Sequence, residues 1–203
     1  MASHAQGLIG PNAILQMLPV LDRHAGIARR AQLLSRAGIA KVPDGQSMIP
    51  EEEAARLHQQ VRREDPDNAP ALSKAAGRGT ADYIMAHRIP SLAQTLLKSL
   101  PASLAATLLS KAIKKHAWTF AGSGAFHVIS PWHFAIESNP LIQGERSDTC
   151  LCDWHAAVFT RLYQSLVAPD CYCKEIQCRA QPGKPRCEFL ITRAANPARD
   201  NAS

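Results

Sequence analysis

The sequence predicts a mixed α+β fold, with a helical first half, then short strands with one more helix among them. Three observations predict it. Up to Trp118, leucine-rich stretches repeat at three- and four-residue spacing, which gathers their side chains on one helix face. After Phe120 the texture changes to short runs bounded by Gly and Pro, a strand-and-turn pattern. Near the C-terminus two such runs flank Gln181-Pro182-Gly183-Lys184-Pro185, a hairpin-type connection.

The elements follow in order. Ile14, Leu15, Leu18 and Leu21 after Pro11 have helical spacing, and Pro43-Asp44-Gly45 marks a turn. Pro50 followed by Glu51, Glu52 and Glu53 reads as a helix start, because acids suit its positive end; that helix runs to Arg63. Asp65 to Pro70 is a loop or helix entry. Helix resumes from Leu72, breaks at Ile89-Pro90, and restarts at Pro101. Leu92, Leu96, Leu97 and Leu100 form one apolar stripe; Leu104, Leu108, Leu109, Ala112 and Ile113 form another. Both stripes are expected to be core. Two strands lie around Ser130-Pro131, and Asn139-Pro140 ends the second. Trp154 to Val167 returns to helix, and Tyr172–Ala180 pairs with Arg186–Thr192.

The 203 residues, 46% hydrophobic, are enough for a real core, so disulfides are not needed for stability. Net charge is +6, but the cations come in scattered pairs such as Arg29/Arg30, Arg62/Arg63 and Lys114/Lys115. With only 5% aromatics there is no obvious base-stacking surface, and nucleic-acid binding is not expected. The most apolar stretch, Ser99 to Ala112, is broken by Pro101 and by polar residues well short of a roughly 20-residue span. No export signal is visible at the N-terminus, so a cytoplasmic address is expected, with peripheral contact at a membrane left open.

All six cysteines fall between Cys150 and Cys187, and that clustering points to a metal rather than to bridges. Glu175 and Cys178 lie three apart on one predicted strand, and Cys187 returns on the next; a fourth ligand comes from the helix start at Cys152 or from Cys150, Cys171 or Cys173. Zinc takes four such ligands as a tetrahedron, and a closed set is structural. The pairs Cys150/Cys152 and Cys171/Cys173 have one intervening residue, not the two of a redox pair. No dinucleotide or Walker-type motif is present: Gly122-Ser123-Gly124 lacks both a third glycine and a preceding strand. No catalytic residue is assigned.

Cys152, the run Lys174-Glu175-Ile176-Gln177-Cys178-Arg179, Gly183, and Cys187-Glu188-Phe189 together resemble the 4-vinyl reductase domain family. The resemblance implies a zinc held by Cys152, Glu175, Cys178 and Cys187. Further upstream, Arg88-Ile89-Pro90, Ala93-Gln94-Thr95-Leu96-Leu97, Leu100-Pro101 and His116-Ala117-Trp118-Thr119-Phe120-Ala121-Gly122-Ser123-Gly124 resemble its bacteriochlorophyll-biosynthesis members from purple phototrophic bacteria. The likeness covers roughly Gly7 to Arg193.

That family implies helices packed on a small antiparallel sheet around a ligand cavity, similar to the vesicle-tethering TRAPP subunits, with a homodimer formed through helices. It implies an N-terminal helical extension over 1–70, a ligand-binding domain over 71–194 and a disordered tail over 195–203. It also implies a ligand, a magnesium porphyrin of the chlorophyllide type. His116 and His127 are candidate axial ligands of its magnesium, as are His133 and His155. Trp118, Phe120, Phe126 and Trp132 are candidates to stack on the ring, against the alternative that they are core. The preferred expectation is a carrier serving bacteriochlorophyll biosynthesis, and hence photosynthesis, with magnesium chelatase and the following methyltransferase as partners. The alternatives are the 8-vinyl reductase itself, for which no electron source is visible, and an aromatic-ligand sensor, which would need an output module.

Overall fold

The computed structural model describes residues 7–194, so the predicted tail over 195–203 lies outside the described residues. The described residues have the expected class, with eight helices and a four-stranded antiparallel sheet. The first strand β1 (Leu8–Ile9) pairs with β2 (Ile49–Pro50), and between them run α1 (Asn12–Leu15) and α2 (Leu18–Arg36). Helix α2 is kinked at Gly26, whose φ of 83° suits a residue without a Cβ. Then follow α3 (Glu51–Glu64), α4 (Ala69–His87), α5 (Ser91–Ser99), α6 (Ala102–Lys115) and α7 (Trp118–Ala121). Pro50, Pro90 and Pro101 each precede a helix in extended conformation.

The second half contains β3 (Ala125–Ser130), β4 (His133–Glu137), a 3-10 turn (Pro140–Ile142), α8 (Asp153–Leu166), β5 (Cys171–Gln177) and β6 (Arg186–Arg193). The sheet order is β3-β4-β6-β5. Helix α8 is the hub. Trp154, His155, Ala157, Phe159, Leu162 and Leu166 are buried around most of its circumference, as a helix covered on two sides requires. One side packs on β5 and the other on α4. Gly77 permits that second contact: a Cβ there would stand 2.4 Å from the Trp154 carbonyl oxygen and 2.8 Å from the Ala157 Cβ. Ile9, Ile14, Leu57 and Val61 belong to the same continuous core as Phe134 and Phe189.

The structure corrects one sequence expectation about the helices. Leu97 and Leu109 are buried, but Leu92, Leu96, Leu104 and Leu108 point to solvent. Five apolar positions per helix exceed the width of one buried stripe, so the outer members of each set lie on the far side.

Candidate metal centre and aromatic layer

The cysteine cluster is built by three elements. Cys152 precedes the first turn of α8, where the helix dipole favours a thiolate. Strand β5 alternates strictly, so Cys171, Cys173 and Glu175 all point inward. A regular strand would send residue 178 to the opposite face from residue 175. Two features prevent that. The β5–β6 pairing bulges between Glu175 and Gln177, and the strand ends before Cys178, which starts a turn closed by Gln181 N–H donating to the Cys178 carbonyl at 3.0 Å. Cys178 is therefore not on the strand with Glu175, yet reaches the same pocket. Cys187 faces inward from β6, opposite Ile136.

One ligand atom from each of Cys152, Glu175, Cys178 and Cys187 lies within 4.8 Å of all the others, and all four residues are buried. The Cys152 and Cys187 sulfurs are 3.5 Å apart, near the roughly 3.8 Å expected of two thiolates on one tetrahedral zinc. The Glu175 Oε2 accepts from the Cys152 backbone N–H at 2.7 Å, while its Oε1 is buried with no hydrogen-bond partner. Backbone N–H groups of Ala180 and Leu151 donate to the Cys178 sulfur. Asn139, fully buried, donates from Nδ2 to the Cys152 sulfur at 3.3 Å, and more distantly to that of Cys187 at 4.0 Å.

Without a cation this pocket resists carrying charge. Burial, and then the neighbouring Cys178, pushes Glu175 up to about 8. Burial pushes Cys152 up as well. Only Cys178 is held down, chiefly by hydrogen bonds from Cys152 and Cys187. An orphaned carboxylate oxygen beside three converging sulfurs is a donor set that fits a divalent cation with soft preference. Of the other thiols, Cys171 and Cys173 are inward core residues of β5, and Cys150 is half-buried with its sulfur 3.8 Å from Gln181 Oε1.

Sequence reasoning read Asn139 only as a strand end. Its role toward the sulfurs had no local signal, since it stands 13 residues from Cys152 and 48 from Cys187. Also missed were Glu51, discussed below, and His58, buried with Nε2 2.9 Å from the Ala13 carbonyl oxygen.

The aromatic residues gather in a layer between α7, α8 and the sheet. Phe120 meets Phe126 edge to face at 5.2 Å and Phe159 at 5.7 Å, and Phe126 meets Phe134 at 5.3 Å. Trp132 is half-buried against Tyr163. These rings pack against each other rather than lining open space. The other candidates stand outside the layer. His116 ends α6 and is exposed, Trp118 opens α7 and is exposed, and His127 lies on the opposite side of β3 from Phe126, with Nε2 3.4 Å from Glu137 Oε1. His133 contacts Glu188 at 2.9 Å. His155 is buried, its Nε2 3.2 Å from the Phe120 carbonyl oxygen, and burial lowers it to about 4. An open cleft of about 730 Å³ lies elsewhere, between the loop after the 3-10 turn and the β5–β6 turn, with Arg146, Arg179 and Lys184 on its walls.

Residues 132–193, which span β4, α8 and the cysteine hairpin, match the 4-vinyl reductase domain. The bacteriochlorophyll synthase 23 kDa chain of Cereibacter sphaeroides is 49% identical over 185 residues, 90% of this chain and 89% of that protein. This chain belongs to that family. The Rhodobacter capsulatus protein of the same name is 44% identical over 90% of this chain and 86% of its own length. Among solved structures, the family fold is similar to an H-NOX protein from S. oneidensis in the Fe(II)NO state, with a TM-score of 0.57, 12% identity, and 92% and 100% of the two chains covered. An Fe(II) unliganded H-NOX protein from K. algicida gives 0.57 at 8% identity, covering 93% and 98%. At these identities the likeness concerns the fold alone.

Proposed function

We propose that this chain binds magnesium-porphyrin intermediates of bacteriochlorophyll biosynthesis and delivers them to the enzymes that act on them, magnesium chelatase and the following methyltransferase. The observation that carries the reading is the near-full-length identity to two proteins named bacteriochlorophyll synthase 23 kDa chain. A second observation supports the kind of ligand: one solved relative of this fold, with a TM-score of 0.55, is described by heme distortion in the H-NOX family. A flat apolar ring needs an apolar layer that can part around it. The layer holding Phe120 and Phe126 on α7 and β3, with Trp132 at its edge, is the candidate here. His116 and His127 stand close along the chain to those rings, as candidate axial ligands, and Trp118 offers a further stacking face. Lys114 and Lys115, exposed before His116, could pair with the ring's carboxylates.

Reduction of the 8-vinyl group by the chain itself is the second reading. Gly122-Ser123-Gly124 is the run that a nucleotide phosphate would be expected to use. Here the Ser123 backbone N–H donates to Glu51 Oε2 at 2.7 Å and its hydroxyl to Glu51 Oε1 at 2.6 Å. A protein carboxylate already occupies the position of an anion, which favours a structural clasp over a phosphate cradle.

At the cysteine cluster we propose a structural zinc held by Cys152, Glu175, Cys178 and Cys187. Bound there, it would supply the positive charge that lets the thiols ionise and would tie the start of α8 to the β5–β6 turn. The deciding experiment for function is an absorption titration with a divinyl magnesium porphyrin, before and after NADPH. A saturable shift unchanged by NADPH supports the carrier. Slow conversion to the monovinyl spectrum would make the chain a reductase, and no shift at all would remove both readings.

A further inference from the structure

The exposed leucines of α5 and α6 form a surface. Leu92 and Leu96 are 81% and 56% exposed, and Leu104 and Leu108 are 54% and 45% exposed. Within each pair the residues are four apart and so stack on one face. On α6 that face continues through Lys111 and Lys115, opposite the buried Ala106, Leu109 and Ile113. Trp118, just past the end of α6, is also exposed.

The charge around this surface is one-signed. From Tyr83 to Ile136 there is no Asp or Glu, while Arg88, Lys98, Lys111, Lys114 and Lys115 supply five positive charges. The rest of the chain holds 18 Lys and Arg against 17 acids, so this segment accounts for nearly all of the net +6. Cations that look scattered when read as pairs are segregated once the acids are mapped. All five are exposed, and none forms an ion pair among the described residues.

We propose that the outer face of the α5–α6 hairpin, with Trp118 at its edge, docks on an anionic lipid bilayer. The leucines would enter the headgroup–acyl boundary while the lysines, on flexible stems, reach lipid phosphates. A bilayer satisfies both properties of the surface at once. A second copy of this chain does not: a two-fold contact would set five cations against the same five, with no carboxylate in the segment to offset them. The inference stands apart from the pigment reading and needs no pigment present.

The test is co-sedimentation of the full chain with extruded vesicles of phosphatidylcholine alone or with a quarter phosphatidylglycerol, alongside light scattering for oligomeric state. The expected result is binding to the anionic vesicles only, weakening with salt. Leu104→Ser/Leu108→Ser should lower it by roughly tenfold or more, and Lys111→Glu/Lys114→Glu/Lys115→Glu by on the order of a hundredfold, with melting temperatures unchanged. The proposal fails if wild type stays in the supernatant, or if the leucine variant sediments like wild type, which would reduce the contact to charge alone. It also fails if the leucine variant instead dissolves a dimer that ignores vesicles.

Discussion

Two regions of this protein invert the usual placement of side chains, in opposite directions. At the start of α8, three thiols and a carboxylate are buried, with one carboxylate oxygen left unpartnered. On α5 and α6, four leucines face solvent beside lysines. Burying a polar group without a partner costs on the order of a few kcal/mol, so the first arrangement persists only if something compensates it from within. Exposed leucines forgo a gain rather than incur that penalty, so the second can stand in the free protein and be satisfied from outside. The buried cluster should therefore govern stability and the exposed face association, and three substitutions test the division.

The largest effect is expected at the cluster. Cys178→Ala removes the one sulfur whose pKa the pocket lowers, and with it the anchor for a cation. Metal content by mass spectrometry or emission should fall from about one ion per chain to none, with a stability loss of about 4 kcal/mol or more. The melting temperature should drop by ~10 °C or more. A chelator should do the same to the wild type. Unchanged metal content and melting temperature in the variant would remove the metal from the account of stability.

The two regions also differ in how much of them the sequence disclosed. Cysteine and glutamate spacing carried the cluster, because few patterns put thiols at the start of a helix and on both sides of a hairpin turn. What it could not carry was the route: the bulge at Glu175–Gln177 and the strand end before Cys178 depend on pairing with β6, and Asn139 joins from a distant turn. The prolines before α3, α5 and α6 and the Gln181–Pro185 turn were legible for a simpler reason, since they act on the local backbone. The kink at Gly26 was not, because a glycine within a helical pattern does not declare its φ. The leucines of α5 and α6 were misread as core because periodicity identifies faces, not which face is covered. Adjacent residues such as Leu96 and Leu97 meet opposite environments.

A buried histidine tests the penalty argument through pH. His58 is wholly enclosed, and burial, then the charge of Arg62, lowers its pKa from 6.5 to about 3. The unfolded chain takes up a proton below pH 6.5 where the folded chain does not. The contribution is therefore fully present above that value and is lost as pH falls toward about 3. Between neutrality and pH ~4.5 the loss should reach roughly 2–3 kcal/mol. His58→Gln keeps a donor for the Ala13 carbonyl but does not titrate, so its stability should decline less across that range. Parallel pH curves for the two proteins, from denaturant melts, would show that this histidine is not held neutral by burial.

The smallest effects separate neighbours on one helix. Leu109 is buried among the residues of α6 that face the core, and Leu108 is on the exposed stripe. Leu109→Ala should cost about 2–4 kcal/mol, from lost burial plus the cavity left behind. Leu108→Ser should stay within about 0.5 kcal/mol. If Leu108→Ser were as destabilising as Leu109→Ala, the outer face would already be covered in the free protein, and its contrast with the buried cluster would vanish. If instead only the inner leucine matters for melting while the outer one matters for vesicle binding, one helix serves two environments. The sequence spacing that suggested a single core stripe would then be the overlap of two, one turned to the sheet and one to a bilayer.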